Sequence, residues 1–278
     1  MFYPSGMAPE RSERGRSMFG IKDVFTSINL LGGVVAIGLC VEGRPFEAGV
    51  AVLLGFMFGD SLDGRVARWL GTANEFGGEF DTIADHTAHV IAPAAIVYTV
   101  YKDAGLLEHP WDTILAIALS MSMVLAVSIR HARNIVAPVE YQGVWAGLPR
   151  TVLGFWAIGY CNAATAPDVP GGWWVGVVFI PGLAVATLTY LPFPSHRITR
   201  RHFWWVNGLL SLFFIATSIS LLFSRAYLFD VIFLIMTIYS AISWTSLTGE
   251  ERTAYAAAVA RARSARCPRL KLRAVDCV

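Results

Sequence analysis

Eight apolar stretches, each long enough to cross a lipid bilayer, constrain the fold of this chain more than any other feature. They cover residues 24–41, 46–62, 82–101, 112–130, 146–163, 172–193, 204–223 and 227–247. A transmembrane helix needs roughly 20 mainly apolar residues, and backbone groups inside lipid must hydrogen-bond to one another. Only 15% of the residues are charged, far fewer than a soluble domain carries. The sequence therefore predicts an all-α integral membrane bundle of about eight transmembrane helices.

The basic residues are unevenly distributed around these stretches. If the N-terminus lies on the inner side, eight crossings place all but three of the 22 Lys and Arg residues on that side, the exceptions being Arg44, Lys102 and Arg225. Positive charge is retained in the cytoplasm, so both termini are predicted to be cytoplasmic. The first 20 residues lack the apolar core of a cleavable signal peptide. A chain this apolar is not expected to bind nucleic acid.

Four aspartates gather where the second stretch ends and the third begins, within residues 60 to 85. Asp60 and Asp63 are three residues apart, and Asp81 and Asp85 are four apart, so on helices each pair projects from one face. Carboxylates at membrane depth are costly unless they are neutralised in a wet cavity. Because close carboxylates repel one another, bound cations are expected. Oxygen ligands favour Mg²⁺, Mn²⁺ or Ca²⁺, and Mg²⁺ commonly completes its shell with phosphate.

Small and basic residues between the aspartates fit the same interpretation. Gly64, Ala67 and Gly77 lack bulk where two helices must approach closely enough to share metal ions. Arg68 lies one turn beyond Gly64 and is placed to pair with a diphosphate, although arginines at cytoplasmic helix ends are often simple flanking charges. The pattern predicts a phosphate-bearing ligand between the two helices.

Residues 60 to 85 read D-x2-D-G-x2-A-R-x8-G-x3-D-x3-D, and this pattern resembles the signature of the CDP-alcohol phosphotransferase family at every position. The resemblance implies transfer of a lipid phosphate group from a CDP-lipid to an alcohol with two divalent ions, Mg²⁺ or Mn²⁺. It also implies that Asp85 is the general base. The implied metal ligands are Asp60, Asp63, Asp81 and Asp85; the implied CDP contacts are Asp60, Gly64, Ala67, Arg68 and Gly77, with Asn29 of the first stretch as a further candidate.

The resemblance extends over roughly residues 20 to 200 and is strongest to the phosphatidylserine synthase branch. It is carried by FTSINLLGG, DGRVARWLGT, EFGGEFDTIAD, IRHARN and GVWAGLP. This branch implies CDP-diacylglycerol or an ether-lipid equivalent as donor, L-serine as acceptor and CMP as leaving group. It further implies a homodimer among membrane lipids, with a cytoplasmic active site. The expected organisation is an N-terminal arm or interfacial helix (1–23), a transmembrane catalytic domain (24–247) and a basic cytoplasmic tail (248–278).

The acceptor is the least constrained part of this interpretation. The chain departs from the branch at His86 and His89, where an apolar run is expected, and at Arg150, where a small uncharged residue is typical. A serine carboxylate needs a cation, whereas glycerol phosphate or inositol phosphate needs several. The candidate acceptor contacts are His89, Arg130, Arg133 and Arg150.

Two other classes of protein are compatible with intramembrane acids. A divalent-cation transporter would use aspartates along an ion path, but that function explains neither the glycines nor Arg68, and Asp230 is almost the only acid within the last five stretches. A membrane scaffold would tolerate replacement of all four aspartates. Ion flux without nucleotide would favour the transporter over the transferase.

Overall fold

A computed structural model describes residues 19–62, 75–195 and 203–265, which are predominantly helical, as expected. The helices are α1 (Ile21–Val41), α2 (Pro45–Gly55), α3 (Glu75–His86), α4 (Ala92–Tyr101), α5 (Trp111–Val136), α6 (Arg150–Asn162), α7 (Trp174–Leu188), α8 (Trp204–Phe223), α9 (Leu228–Ile242) and α10 (Gly249–Ala265). Single 3₁₀ turns lie at Ala166–Asp168, Arg225–Tyr227 and Ser243–Thr245. The described structure is nearly all-α, as predicted, with one exception. Strands β1 (Val144–Ala146) and β2 (Pro192–Pro194) form a small antiparallel ribbon.

Two π-helical turns interrupt the helices that carry the acidic residues. The first, Phe56–Asp60, extends α2. The second, Thr87–Ile91, joins α3 to α4, so the chain is helical without a break from residue 75 to residue 101. Such turns insert one extra residue per turn, shift the side chains that follow and are frequent at functional sites. Here Asp60 is the last residue of the first turn, and Asp85 lies two residues before the second.

Helix α1 packs against α2 and the two π-helical turns through contacts that leave no room for side chains. A Cβ at Gly32 would lie 2.9 Å from the Gly55 Cα, and a Cβ at Gly33 would lie 2.8 Å from the Ala88 Cα. At Gly59 a Cβ would lie 2.7 Å from the Phe25 carbonyl oxygen. Small residues of this kind let helix backbones approach closely in membranes. The face of α1 that bears Asn29 is thereby held between the two acidic helices.

Four helical segments of the described chain are long and apolar enough to cross a membrane: Ile21–Val41, Trp111–Val136, Trp204–Phe223 and Arg225–Thr245. They also expose apolar side chains, such as Ile215, Ile219 and Leu222 on one stripe of α8. Together these features indicate an integral membrane protein. The other four predicted stretches contain shorter helices. Stretches 46–62 and 82–101 contain the π-helical turns, and stretches 146–163 and 172–193 are divided between a helix and a strand of the ribbon.

Strand β1 of the ribbon lies shortly before the start of α6 in the chain and pairs with β2, which follows α7. After β1 the chain turns at Gly147, whose φ of +80° is strained for any residue with a side chain. The Gly147 N–H donates to the Leu191 carbonyl at 2.8 Å, and the Leu148 N–H donates to the Ala186 carbonyl at 3.2 Å. Pro149 then caps α6, so Arg150 is the first residue of that helix. The ribbon thus fixes the position of Arg150.

The predicted basic tail begins with a packed helix. Helix α10 lies against the ribbon, where a small apolar cluster includes Val144, Phe203, Tyr255 and Val259. The Tyr255 hydroxyl donates to the Tyr190 carbonyl at 2.9 Å. Burial raises the pKa of Tyr255 to about 12, which keeps this hydroxyl protonated as a donor.

Candidate active site

Asp85 of α3 lies at the centre of a polar cluster built from several helices. It is 8% exposed. Its Oδ1 accepts a hydrogen bond from the Asn29 side-chain amide of α1 at 3.0 Å, and its Oδ2 accepts one from the Arg150 guanidinium of α6. The sequence placed Asn29 near the cytidine and Arg150 near the acceptor. In the structure both side chains contact the predicted general base.

Asp60 and His89 complete the cluster from the two π-helical turns. The His89 Nε2 lies 3.6 Å from the Asp85 Oδ1 and 3.7 Å from the Asp60 Oδ2. One potential ligand atom from each of Asp60, Asp85 and His89 lies within 4.8 Å of the others. Two atoms bound to one small divalent ion stand roughly 3 to 4.2 Å apart, given metal–oxygen distances near 2.1 Å. Both separations from the His89 Nε2 lie in this range, and imidazole and carboxylate are donors that bind divalent cations.

The charge balance of the cluster also favours a cation. Among the described residues, the buried Asp85 and the partly buried Asp60 lie beside the same imidazole, and the Arg150 guanidinium pairs with Asp85. Burial makes an uncompensated carboxylate costly, so a further positive charge stabilises the pair. Each carboxylate oxygen has two lone pairs. The hydrogen bonds from Asn29 and Arg150 therefore leave Asp85 free to bind another group.

The remaining predicted CDP and metal contacts are only partly described. Asp81 is half-buried on α3, one turn before Asp85, and lies outside the group of three potential ligands in the described part of the chain. Gly77 is buried against α1, where a Cβ would overlap the side chains of Lys22 and Asp23. Asp63, Gly64, Ala67 and Arg68 lie outside the described residues, and their roles stay predictions.

The two arginines at the end of α5 contact the ribbon. The Arg133 guanidinium donates to the Leu188 carbonyl at 2.5 Å and to the Ala146 carbonyl at 3.2 Å. It also lies 4.6 Å from the centre of the Tyr190 ring. Arg130 is buried and donates from its Nε to the Ala146 carbonyl at 3.3 Å. These bonds hold β1 in place just before the start of α6. Contact of either arginine with an acceptor stays a prediction.

Sequence reasoning missed a buried pair at the start of α1. Asp23 is fully buried, its Oδ2 accepts a hydrogen bond from the Gly20 N–H at 2.7 Å, and the Lys22 Nζ lies 3.7 Å from its Oδ1. The only signal was a lysine and an aspartate directly before an apolar stretch, a pattern that usually indicates flanking charges at a membrane surface. Their burial beside Gly77 extends the polar face of α1 towards the N-terminal end of α3.

The sequence is similar to those of known proteins. The sequence profile described as CDP-alcohol phosphatidyltransferase matches residues 20–190. A CDP-diacylglycerol–serine O-phosphatidyltransferase of Mycobacterium leprae is 24% identical over 66% of this chain and 60% of its own length. A protein of the same name from Methanocaldococcus jannaschii is 30% identical over 65% of this chain and 78% of its own length. An archaetidylserine synthase of Methanothermobacter thermautotrophicus is 33% identical over 31% of this chain and 38% of its own length.

The match to the mycobacterial relative spans about three fifths of that protein's length. The profile, in contrast, covers more than half of this chain and includes α1 to α7, which contribute every residue of the Asp85 cluster. The chain belongs to the CDP-alcohol phosphatidyltransferase family.

Proposed function

We propose that this protein transfers a phosphatidyl group from CDP-diacylglycerol, or an ether-lipid equivalent, to L-serine and releases CMP. The observation that carries the proposal is the convergence of Asp60, Asp85 and His89 on one point, with ligand atoms within 4.8 Å of one another. The names of the relatives support serine as the acceptor. The activity would belong to phospholipid biosynthesis in a membrane.

Asp60, Asp63, Asp81 and Asp85 are the residues that would hold two divalent ions, Mg²⁺ or Mn²⁺. When bound, these ions would neutralise the diphosphate and stabilise the departing CMP. Gly77, whose missing side chain leaves room for Lys22 and Asp23, would border the CDP site together with Gly64, Ala67 and Arg68. Asn29 would act through its hydrogen bond to Asp85, which fixes the orientation of that carboxylate.

Asp85 would accept the proton of the serine hydroxyl as general base. The hydroxyl oxygen would form a bond to the phosphorus that carries the lipid, and the bond from that phosphorus to the CMP oxygen would break. The Arg150 guanidinium, beside Asp85, would bind the serine carboxylate and so bring the hydroxyl to the base. Its side chain is 20% exposed, which supports access by a ligand.

The wider organisation is also a proposal. Eight crossings would comprise α1, α2 with its π-helical turn, the continuous run through α3 and α4, and α5 to α9. Both termini and the Asp85 cluster would face the cytoplasm, and two copies would form a homodimer. Residues 1–23 would be the N-terminal arm, 24–247 the catalytic domain and 248–278 the basic tail. Labelling of single introduced cysteines from each side of the membrane tests the sidedness.

The activity is tested with the purified full chain, CDP-diacylglycerol, Mg²⁺ or Mn²⁺ and one alcohol at a time, with CMP release as the measurement. Serine is expected to support release, and glycerol phosphate and inositol phosphate are not. Release with only a phosphorylated alcohol would overturn the choice of serine. Ion flux through the reconstituted protein, without any CMP release, would instead support a divalent-cation transporter.

A further inference from the structure

His89 is a buried imidazole with no role in the family pattern of four aspartates. It is 1% exposed. Neither of its ring nitrogens has a hydrogen-bond partner in the part of the chain that the structure describes. A buried polar group left in this way costs about 1 to 3 kcal/mol, so such groups normally have a ligand or another partner.

The packing around His89 directs its Nε2 at the two carboxylates. The ring lies edge-to-face with Phe56, at 5.5 Å between centroids, and at 5.8 Å from Phe155. Gly154 of α6 packs on the His89 backbone, where a Cβ would lie 2.5 Å from the carbonyl oxygen. With aromatic rings around it and α6 against its backbone, the imidazole is held with Nε2 between Asp60 and Asp85.

We infer that His89 is a direct ligand, through Nε2, of a divalent ion shared with Asp60 and Asp85. Its separations of 3.6 and 3.7 Å from the two carboxylate oxygens exceed hydrogen-bonding distance but match those between ligands of one ion. This inference rests on the proposed metal centre and adds to it a nitrogen donor. The donor set becomes mixed, with imidazole beside carboxylate.

The mixed donor set determines which ion the site prefers. Mg²⁺ and Ca²⁺ are hard cations that take oxygen ligands, whereas imidazole suits first-row transition metals. Of the two ions proposed above, Mn²⁺ is therefore the better match. Removal of His89 lowers Mn²⁺ affinity at least about tenfold, and Mg²⁺ affinity changes less.

The test is electron spin-echo spectroscopy of the full chain loaded with Mn²⁺ alone, prepared with natural or ¹⁵N-labelled histidine. A histidine nitrogen coupling that changes with the isotope supports the inference. Mn²⁺ bound without such a coupling overturns it and leaves the proposed transferase intact. Failure of the protein to bind Mn²⁺ or Mg²⁺ overturns both the inference and the proposed metal centre. Because this measurement uses the unaltered protein, it does not depend on the folding of a variant.

Two variants assign the coupling to one residue. His89→Asp replaces the nitrogen donor with oxygen and is expected to abolish the coupling and lower the ratio of Mn²⁺ to Mg²⁺ affinity, measured by calorimetry. His86→Ala is the matched control, because His86 lies on the same helical run but faces the Ser128 hydroxyl at 3.4 Å. Its coupling and affinity ratio are expected to match those of the unaltered protein. A coupling that survives in His89→Asp and vanishes in His86→Ala would refute the assignment.

Discussion

The Arg150 guanidinium donates a hydrogen bond to the Asp85 carboxylate, although the two residues lie 65 positions apart. The bond joins the first residue of α6 to the centre of the acidic cluster on α3. The Arg150 side chain is 20% exposed beside the buried Asp85, so in the proposed reaction the acceptor would approach from the side of Arg150. This relationship is the structural basis for assigning Arg150 to the acceptor.

Replacement of Arg150 tests that assignment. A charge-assisted hydrogen bond to a substrate carboxylate contributes about 1.5 to 3 kcal/mol, so Arg150→Gln is expected to lower kcat/KM for serine roughly 10- to 100-fold, mainly through KM. Serinol, which lacks the carboxylate, is expected to lose much less. Arg261→Gln, on an exposed part of α10, serves as control. Equal losses with both alcohols would show that Arg150 acts only by orienting Asp85.

Replacement of Asp85 tests the general base. Asp85→Asn keeps the size of the side chain but removes its basicity, so turnover is expected to fall about 10²- to 10⁴-fold. Binding of the CDP-lipid, measured by calorimetry, is expected to persist. The control is Asp103→Asn, because the Asp103 side chain is 75% exposed in the loop after α4. Near-normal turnover by purified Asp85→Asn would show that Asp85 is not the general base.

The contact between α1 and the second π-helical turn can be tested with two glycines of one helix. Gly33→Ala places a methyl group against the Ala88 backbone and is expected to cost about 1 to 3 kcal/mol through overpacking. Gly38→Ala is the matched control, since nothing in the described structure lies within 4 Å of a Cβ there. Thermal unfolding in detergent should show a lower midpoint for the first variant only. Equal midpoints would contradict the close approach.

The two possible roles of Arg133 give different outcomes. The hydrogen bonds to the Ala146 and Leu188 carbonyls come from two nitrogens of the planar Arg133 guanidinium, a geometry that lysine lacks. If these bonds are the main contribution of Arg133, Arg133→Lys is expected to lower the free energy of unfolding by about 1 to 3 kcal/mol. The KM for serine is then unchanged in the folded variant. Arg261→Lys provides a control for the same exchange at an exposed site. A raised KM with normal stability would support direct contact with the acceptor.

Spacing along the chain predicted the helical class and the acidic constellation. Asp60 and Asp85 could be brought together from the sequence because their helices were expected to face each other. The π-helical turns could not be predicted, because no residue pattern distinguishes them from ordinary helix. The contacts of Asn29 and Arg150 with Asp85 depend on how α1 and α6 pack, which periodicity does not specify. The ribbon was missed because its three-residue strands adjoin long apolar stretches.

Four helical segments supply the groups around one carboxylate: Asn29 from α1, Asp60 from the turn after α2, His89 from the turn after α3 and Arg150 from α6. The groups assigned to metal and nucleotide come from the first three, whereas the group assigned to the acceptor comes from the fourth. Substitutions at Arg150 or in the ribbon are therefore expected to act mainly on the acceptor, whereas substitutions at Gly154 or Phe155, which pack on His89, are expected to disturb the metal ligands as well. The first turn of α6 would thus serve the acceptor, and its second turn would support the metal ligands.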